Sequence, residues 1–134
     1  MNPISILIVE DDDGDVEIMK EAFPDDLEYS FHRARNGEEA LSCISRTPPD
    51  IVFLDLNMPR TDGRDVLREM KIVQRQIPII IVSTSTSAED IKLSYELGAN
   101  AYVSKSASFT DFADKMDGLS RFWFKHALLP PKSS

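Results

Sequence analysis

The chain has 134 residues, 42% hydrophobic and 28% charged, with a formal net charge of −8 and an isoelectric point of about 4.7. This balance fits one globular domain, no apolar run reaches the roughly 20 residues of a membrane-spanning helix, and the acidic surface argues against nucleic acid or an anionic membrane as partner. The single cysteine, Cys43, excludes an internal disulfide and, with no signal-peptide pattern at the N-terminus, predicts a cytoplasmic protein.

The first half of the chain alternates strand-like and helix-like segments. Ile4–Val9 is a continuous apolar run rich in β-branched residues, which predicts a strand covered on both faces. Apolar residues at helical spacing follow over residues 14–23, and Tyr29–Ala34 then alternates like a strand with one wetter face. Asn36, with Glu39 three residues later, predicts the start of a second helix, which a pair of prolines ends.

The second half continues the alternation with three more strands and three more helices. Their order is the apolar strand Ile51–Asp55, a helix capped by Asp62, the apolar strand Pro78–Ser83, a helix that a capping box at Ser87–Asp90 opens and Gly98 ends, the short strand Ala101–Val103, and a final helix from about Phe109 to Leu128. The last of these helices is expected to stop before a second pair of prolines.

Strand and helix therefore alternate five times, which predicts an α/β protein with a parallel sheet and helices on both faces. Right-handed crossovers favour a flavodoxin-like, doubly wound sheet of five strands in the order 2-1-3-4-5, with five helices. We expect this domain to cover residues 1–129 and residues 130–134 to form a flexible tail.

Carboxylates follow two of the predicted apolar strands. Ligands bind open α/β sheets beyond the carboxyl ends of the strands, where the strand order reverses, so Glu10 and Asp11 should meet Asp55 there. A divalent cation would offset the repulsion among these acids, and oxygen ligands with no histidine nearby favour Mg²⁺. An EF-hand loop aligned on Gly14 is excluded, because its first and twelfth positions would be a valine and a lysine.

Other polar residues are expected close to this acidic point. Ser83 ends the fourth strand and Lys105 follows the fifth, so both could cradle a phosphoryl group around Asp55, whose carboxylate would be the nucleophile. Taken alone, each has an ordinary interpretation, as a strand-end hydroxyl and a solvated charge. Asp13 and Asp15 are expected only to charge the N-terminus of the first helix, where anions are favoured.

Five motifs together resemble, in order and spacing, the receiver domain of bacterial two-component response regulators. They are Val9-Glu10-Asp11-Asp12, Asp55-Leu-Asn-Met-Pro59, Asp62-Gly63, Ser83-Thr84 and Lys105. The resemblance implies that Asp55 accepts a phosphoryl group from a histidine of a sensor histidine kinase. It also implies that Mg²⁺ is held directly by Asp11, Asp55 and the backbone carbonyl of Asn57, and through water by Glu10.

The resemblance also implies how the signal is read. Lys105 would pair with the phosphoryl oxygens, Ser83 would hydrogen-bond the phosphoryl group and draw its loop inward, and Tyr102 would be the aromatic switch that moves with it. A half-buried strand aromatic is an equally good interpretation of Tyr102.

A narrower resemblance is to the small stand-alone regulators paired with bacterial phytochromes. It rests on the segments around Asp55 and Ser83 and on the aromatic run at residues 122–124, and it implies a light-sensing kinase, a bacteriophytochrome, as partner. With no DNA-binding or catalytic segment after the receiver, we expect output through protein contact. The family often dimerises through its fourth and fifth helices, so a homodimer is expected, with the aromatic run as a contact surface or as half-exposed side chains.

One departure from the family pattern leaves an alternative open. Ser106 stands where the family usually has a proline in a cis peptide that aims the lysine. A non-proline cis bond costs about 2.5–4 kcal/mol, so we expect a trans bond and a changed loop path. The alternative is a pseudo-receiver that docks without phosphorylation. An enzyme is not expected, because the chain has no cap domain and Asn57 stands where aspartate-dependent phosphatases carry a second aspartate.

Overall fold

The computed structural model describes residues 3–58, 61–105 and 108–131. Its elements, in chain order, are β1 (Ile4–Val9), α1 (Asp13–Ala22), β2 (Tyr29–Ala34), α2 (Gly37–Arg46), β3 (Ile51–Leu54), β4 (Asn57–Met58), β5 (Thr61–Asp62), α3 (Gly63–Val73), β6 (Ile79–Ser83), α4 (Ala88–Glu96), β7 (Ala101–Ser104), α5 (Phe109–Arg121) and a π-helical turn, Phe122–His126. None of the helices in these ranges has the length and apolar content needed to cross a bilayer.

The strand order confirms the predicted doubly wound fold. Five of the described strands form one parallel sheet in the order β2-β1-β3-β6-β7, which is 2-1-3-4-5 when the strands of this sheet are numbered alone. β1 pairs along its length with β2 on one side and β3 on the other. The order reverses at β1 and β3, so a crevice opens beyond their carboxyl ends. The short strands β4 and β5 form an antiparallel hairpin between β3 and α3.

The apolar strands explain the layers of the fold. Successive strand side chains point to opposite faces, so each of the central strands contributes to two hydrophobic clusters. Leu7 and Val9 of β1 pack with α2 and α3 on one face, whereas Ile6 and Ile8 pack with α1 and α5 on the other. All four side chains are fully buried. Burial on both faces is the reason that these strands are continuously apolar.

Short polar side chains begin the helices where the sequence predicts them. Asn36, Asp62 and Ser87 each accept a hydrogen bond from a backbone N–H of the first turn that follows, which confirms the three predicted caps. Gly98 ends α4 with a φ of 111°, a left-handed conformation that glycine adopts without strain.

The C-terminal helix differs from the prediction. α5 ends at Arg121 and the chain continues as a π-helical turn that closes when the Ala127 N–H donates to the Phe122 carbonyl, 2.7 Å away. Phe124 packs edge-on against Phe23, with ring centroids 5.3 Å apart, while Phe122 remains 54% exposed. Aromatic packing across the domain therefore accompanies the wider turn, and the regular helix stops earlier than the predicted Leu128.

Candidate functional site

The ends of β1 and β3 bring three acidic side chains together. The Asp55 N–H donates to the Val9 carbonyl at 3.0 Å, so the two strand ends lie side by side. Carboxylate oxygens of Glu10, Asp11 and Asp55 all lie within 4.8 Å of one another. Glu10 and Asp55 are buried, whereas the Asp11 side chain is open to solvent. Buried carboxylates need a compensating charge, and a hard divalent cation entering past Asp11 fits this donor set.

Lys105 supplies a positive charge to the same cluster. Its Nζ lies 2.5 Å from Glu10 Oε1, 2.9 Å from Asp15 Oδ2 and 3.4 Å from Asp55 Oδ2, and its side chain is only 9% exposed. The Lys105 N–H donates to the Ser83 carbonyl at 2.6 Å, which anchors the residue beside β6. Lys105 therefore contacts the carboxylates of Glu10, Asp15 and Asp55, although the residue that follows it is not a proline. Ser106 lies outside the described residues, so the trans bond stays a prediction.

The cluster changes the proton affinity of its members. Burial raises the pKa of the Glu10 carboxyl to about 8, against the effect of the hydrogen bond from Lys105 and with added repulsion from Asp55. Burial alone would lower the pKa of Lys105, but hydrogen bonds to Glu10 and Asp15 outweigh it and hold that pKa above its ordinary value. The cluster therefore favours the charged form of Lys105, and burial favours the protonated form of Glu10. Binding of a divalent cation through Glu10 would release that proton.

Ser83 reaches Asp55 through Asn57. The Ser83 hydroxyl is fully buried and accepts hydrogen bonds from Asn57 Nδ2 at 3.0 Å and from the Ser85 N–H at 3.1 Å. The Asn57 N–H in turn donates to Asp55 Oδ1 at 3.1 Å. The strand ends of β3 and β6 are thus joined by a short polar chain that includes three of the predicted site residues.

Tyr102 is connected to the same loop. Its hydroxyl donates to the Ser85 carbonyl at 2.9 Å, and its half-buried ring packs against the cluster that includes the α2 and α3 side chains. Ser85 also donates its N–H to the Ser83 hydroxyl, so one residue connects Ser83 with Tyr102.

The predicted capping box at Ser87–Asp90 forms only in part. Ser87 Oγ accepts from the Asp90 N–H at 3.3 Å, as a cap should. The Asp90 carboxylate does not return to the Ser87 backbone; it accepts from the Ser85 hydroxyl at 2.6 Å and pairs with Arg64. The pKa of Asp90 is lowered first by the hydrogen bond from Ser85 and then by Arg64. Asp90 therefore ties the loop after β6 to the start of α3, which local sequence could not indicate.

Gly63 allows α3 to begin directly against the site. A Cβ at this position would lie 2.5 Å from the Leu56 Cα, 2.8 Å from the Leu56 carbonyl oxygen and 3.0 Å from the Asp55 carbonyl oxygen. The Gly63 N–H donates to that Leu56 carbonyl at 3.2 Å. Only a residue without a side chain fits this close approach of two backbones.

Asp15 is the site residue that sequence reasoning missed. It was expected only to charge the start of α1, yet its carboxylate lies 2.9 Å from the Lys105 ammonium. Asp12 caps α1 by accepting from the Asp15 N–H, so the cap fixes where Asp15 stands in the first turn. The position of Asp15 in the first helical turn after β1 was the feature of the sequence that could have indicated its place in the site.

Three features together define a signalling receiver domain. They are a parallel sheet with an acidic crevice where its strand order reverses, a lysine directly after β7, and a polar loop after β6. Residues 6–117 match the family model described as the response regulator receiver domain, and the chain belongs to this family. Such a domain is a signalling protein and not a catalytic enzyme in the usual sense.

Comparison with individual relatives shows which members of the family this chain is similar to. The chain is 32% identical to the response regulator Rcp1 of Synechocystis sp., over 96% of this chain and 94% of that protein. The crystal structure of the phosphorylated cyanobacterial phytochrome response regulator RcpA is similar with a TM-score of 0.91 and 33% identity, covering 97% of this chain and all 100% of that one. The Mn²⁺-bound form of response regulator Rcp1 gives a TM-score of 0.90 and 31% identity over 96% and 100% of the two chains. The predicted resemblance to stand-alone, phytochrome-associated regulators is confirmed.

Proposed function

We propose that this receiver accepts a phosphoryl group on Asp55 from a histidine of a sensor histidine kinase and signals through protein contact. The observation that carries the proposal is the cluster at the sheet edge: the buried Asp55 carboxylate lies with Glu10 and Asp11 around one point, and the Lys105 ammonium is 3.4 Å from Asp55 Oδ2. A nucleophilic carboxylate, a cation site and a fixed ammonium are the parts that phosphoryl transfer requires.

The chemistry follows from these positions. A carboxylate oxygen of Asp55 forms a bond to phosphorus while the bond from phosphorus to the kinase imidazole nitrogen breaks, and the imidazole keeps that electron pair and takes up a proton. Lys105 stabilises the negative charge on the phosphoryl oxygens. Mg²⁺, bound directly by Asp11, Asp55 and the Asn57 carbonyl and through water by Glu10, would neutralise the same charge. The acidic donor set and the Mn²⁺-bound relative support a divalent metal here.

The polar chain after β6 gives the signal a route out of the site. A phosphoryl group on Asp55 brings about two negative charges and oxygen atoms that can accept a hydrogen bond from the Ser83 hydroxyl. A shift of Ser83 toward that group would move Ser85, which now accepts the Tyr102 hydroxyl at 2.9 Å. Tyr102 would then exchange between two positions, and phosphorylation would bias that equilibrium.

The partners follow from the relatives and from the exposed aromatic surface. RcpA is by its title a phytochrome response regulator, which supports a bacteriophytochrome as the kinase partner here. Tyr95 of α4 and Phe122 after α5 are 49% and 54% exposed, and they support a homodimer through the fourth and fifth helices. We place the protein in the cytoplasm, with residues 1–129 as the receiver and 130–134 as a tail, of which residues 132–134 lie outside the described structure.

The decisive experiment is chemical labelling. The protein is incubated with Mg²⁺ and acetyl phosphate and its intact mass is measured, with an established receiver labelled in parallel. One acid-labile phosphoryl group is expected on the wild type and on Asp65→Asn, which changes an exposed aspartate of α3, and none on Asp55→Asn. An unlabelled wild type beside a labelled reference receiver would refute the proposal and favour the pseudo-receiver alternative.

A further inference from the structure

We propose that Asp15 is a positioning residue for phosphoryl transfer, which holds the Lys105 ammonium within reach of Asp55. This inference rests on the proposed function and adds to it a residue outside the acidic trio of Glu10, Asp11 and Asp55. Its basis is geometric: Asp15 Oδ2 lies 2.9 Å from Lys105 Nζ, closer than the 3.4 Å between Lys105 Nζ and Asp55 Oδ2.

The three carboxylates around Lys105 are not equivalent. Glu10 and Asp55 belong to the group of oxygens that could surround one cation, whereas Asp15 does not. When a cation engages Glu10 and Asp55, their oxygens are shared between that cation and the lysine. Asp15, whose side chain is 26% exposed, has no such competing role, so it remains the partner that fixes Lys105.

Lys105 needs such a partner because its side chain is long and flexible. A free lysine side chain carries about 2 kcal/mol of rotamer entropy. Its ammonium group behaves as a point charge and imposes no preferred orientation on its partners. The residue that follows is Ser106, which cannot set the backbone direction as a proline would. A carboxylate from the first turn of α1 can set the position of the ammonium instead, across 90 residues of chain.

The competing explanation is that Asp15 only places negative charge at the start of α1. Asp13 is the matched control for this explanation, because it lies in the same first turn. Asp13 pairs with Arg33 at 2.6 Å and Arg35 at 3.2 Å, whereas Lys105 pairs with Glu10, Asp15 and Asp55. Both substitutions to asparagine remove one charge from the helix start, but only one of them removes the partner of Lys105.

The test is a double-mutant cycle on the initial rate of labelling by acetyl phosphate at saturating Mg²⁺, with folding checked by circular dichroism. Asp15→Asn should slow labelling roughly 10-fold, Asp15→Glu should recover part of the rate, and Asp13→Asn should stay within about 2-fold of wild type. In a Lys105→Ala background, Asp15→Asn should cause no further slowing, since its effect acts through the lysine.

A second measurement follows the contact itself. The Lys105 ammonium protons should exchange slowly with water in Mg²⁺-saturated wild type and in Asp13→Asn, and fast in Asp15→Asn, as seen by nitrogen-detected NMR. The inference is overturned if Asp15→Asn labels at the wild-type rate, if Asp13→Asn slows equally, or if Asp15→Asn slows Lys105→Ala as much as wild type. An unlabelled wild type overturns the proposed function together with this inference, whereas the outcomes just named leave the proposed function intact.

Discussion

Replacement of Gly63 by alanine tests how closely the fold and the site are joined. The new Cβ would meet the Leu56 Cα at 2.5 Å and its carbonyl oxygen at 2.8 Å, distances that real Cβ atoms do not tolerate. The obstructing atoms are backbone, so the start of α3 must move away from the segment that follows Asp55. Overpacking of this kind costs about 1–3 kcal/mol, and the gain in helix propensity at a first helical residue recovers less than about 1 kcal/mol.

The same chain provides a control of opposite sign. Gly118 lies on the exposed face of α5, and a Cβ there would meet nothing within 4 Å. Gly118→Ala should therefore raise the free energy of unfolding by about 0.5–1 kcal/mol, through helix propensity alone. Urea denaturation followed by circular dichroism measures both variants. The reasoning would be refuted if Gly63→Ala were as stable as wild type, or if both variants shifted in the same direction.

Two further predictions concern the site. Glu10 faces Lys105 and Asp55 and has a pKa of about 8, against 4.5 in the unfolded chain. The metal-free folded protein therefore binds an extra proton between these two pKa values. Its free energy of unfolding should fall as pH rises from about 5 to about 8. Over this range Mg²⁺ affinity, measured by calorimetry, should increase by up to about tenfold per pH unit, and Glu10→Gln should remove the dependence; equal affinity at both ends of the range would contradict this. Tyr102→Phe removes the hydrogen bond to the Ser85 carbonyl and should lower the free energy of unfolding by about 1 kcal/mol in urea titration, while labelling of Asp55 persists; loss of labelling would show that Tyr102 belongs to the chemistry.

The strands and most helix starts could be predicted from local sequence. Ile4–Val9 is continuously apolar because both faces of a central parallel strand are covered, and this cause is visible in the residues themselves. Asn36 and Asp62 cap helices through bonds that span two or three residues, so the pattern contains the whole interaction. Once the strand order is known, Glu10, Asp11 and Asp55 must meet, because parallel strands end at the same edge of the sheet.

The remaining features depend on contacts between distant segments. Asp90 pairs with Arg64 and not with its own helix cap, and the π-helical turn after Arg121 accompanies the packing of Phe124 on Phe23. Local propensities do not specify which distant segment a given side chain will contact.

The strands, the caps and the meeting of the acids could be predicted from the residues alone, because each follows from neighbouring residues or from a single topological rule. Two features required the folded chain: the contact of Asp15 with Lys105, and the burial that raises the pKa of Glu10 to about 8. Both depend on how a helix is rotated and how deeply a side chain is enclosed, and a hydrophobic stripe specifies neither closely enough to place one carboxylate oxygen within hydrogen-bonding distance of an ammonium.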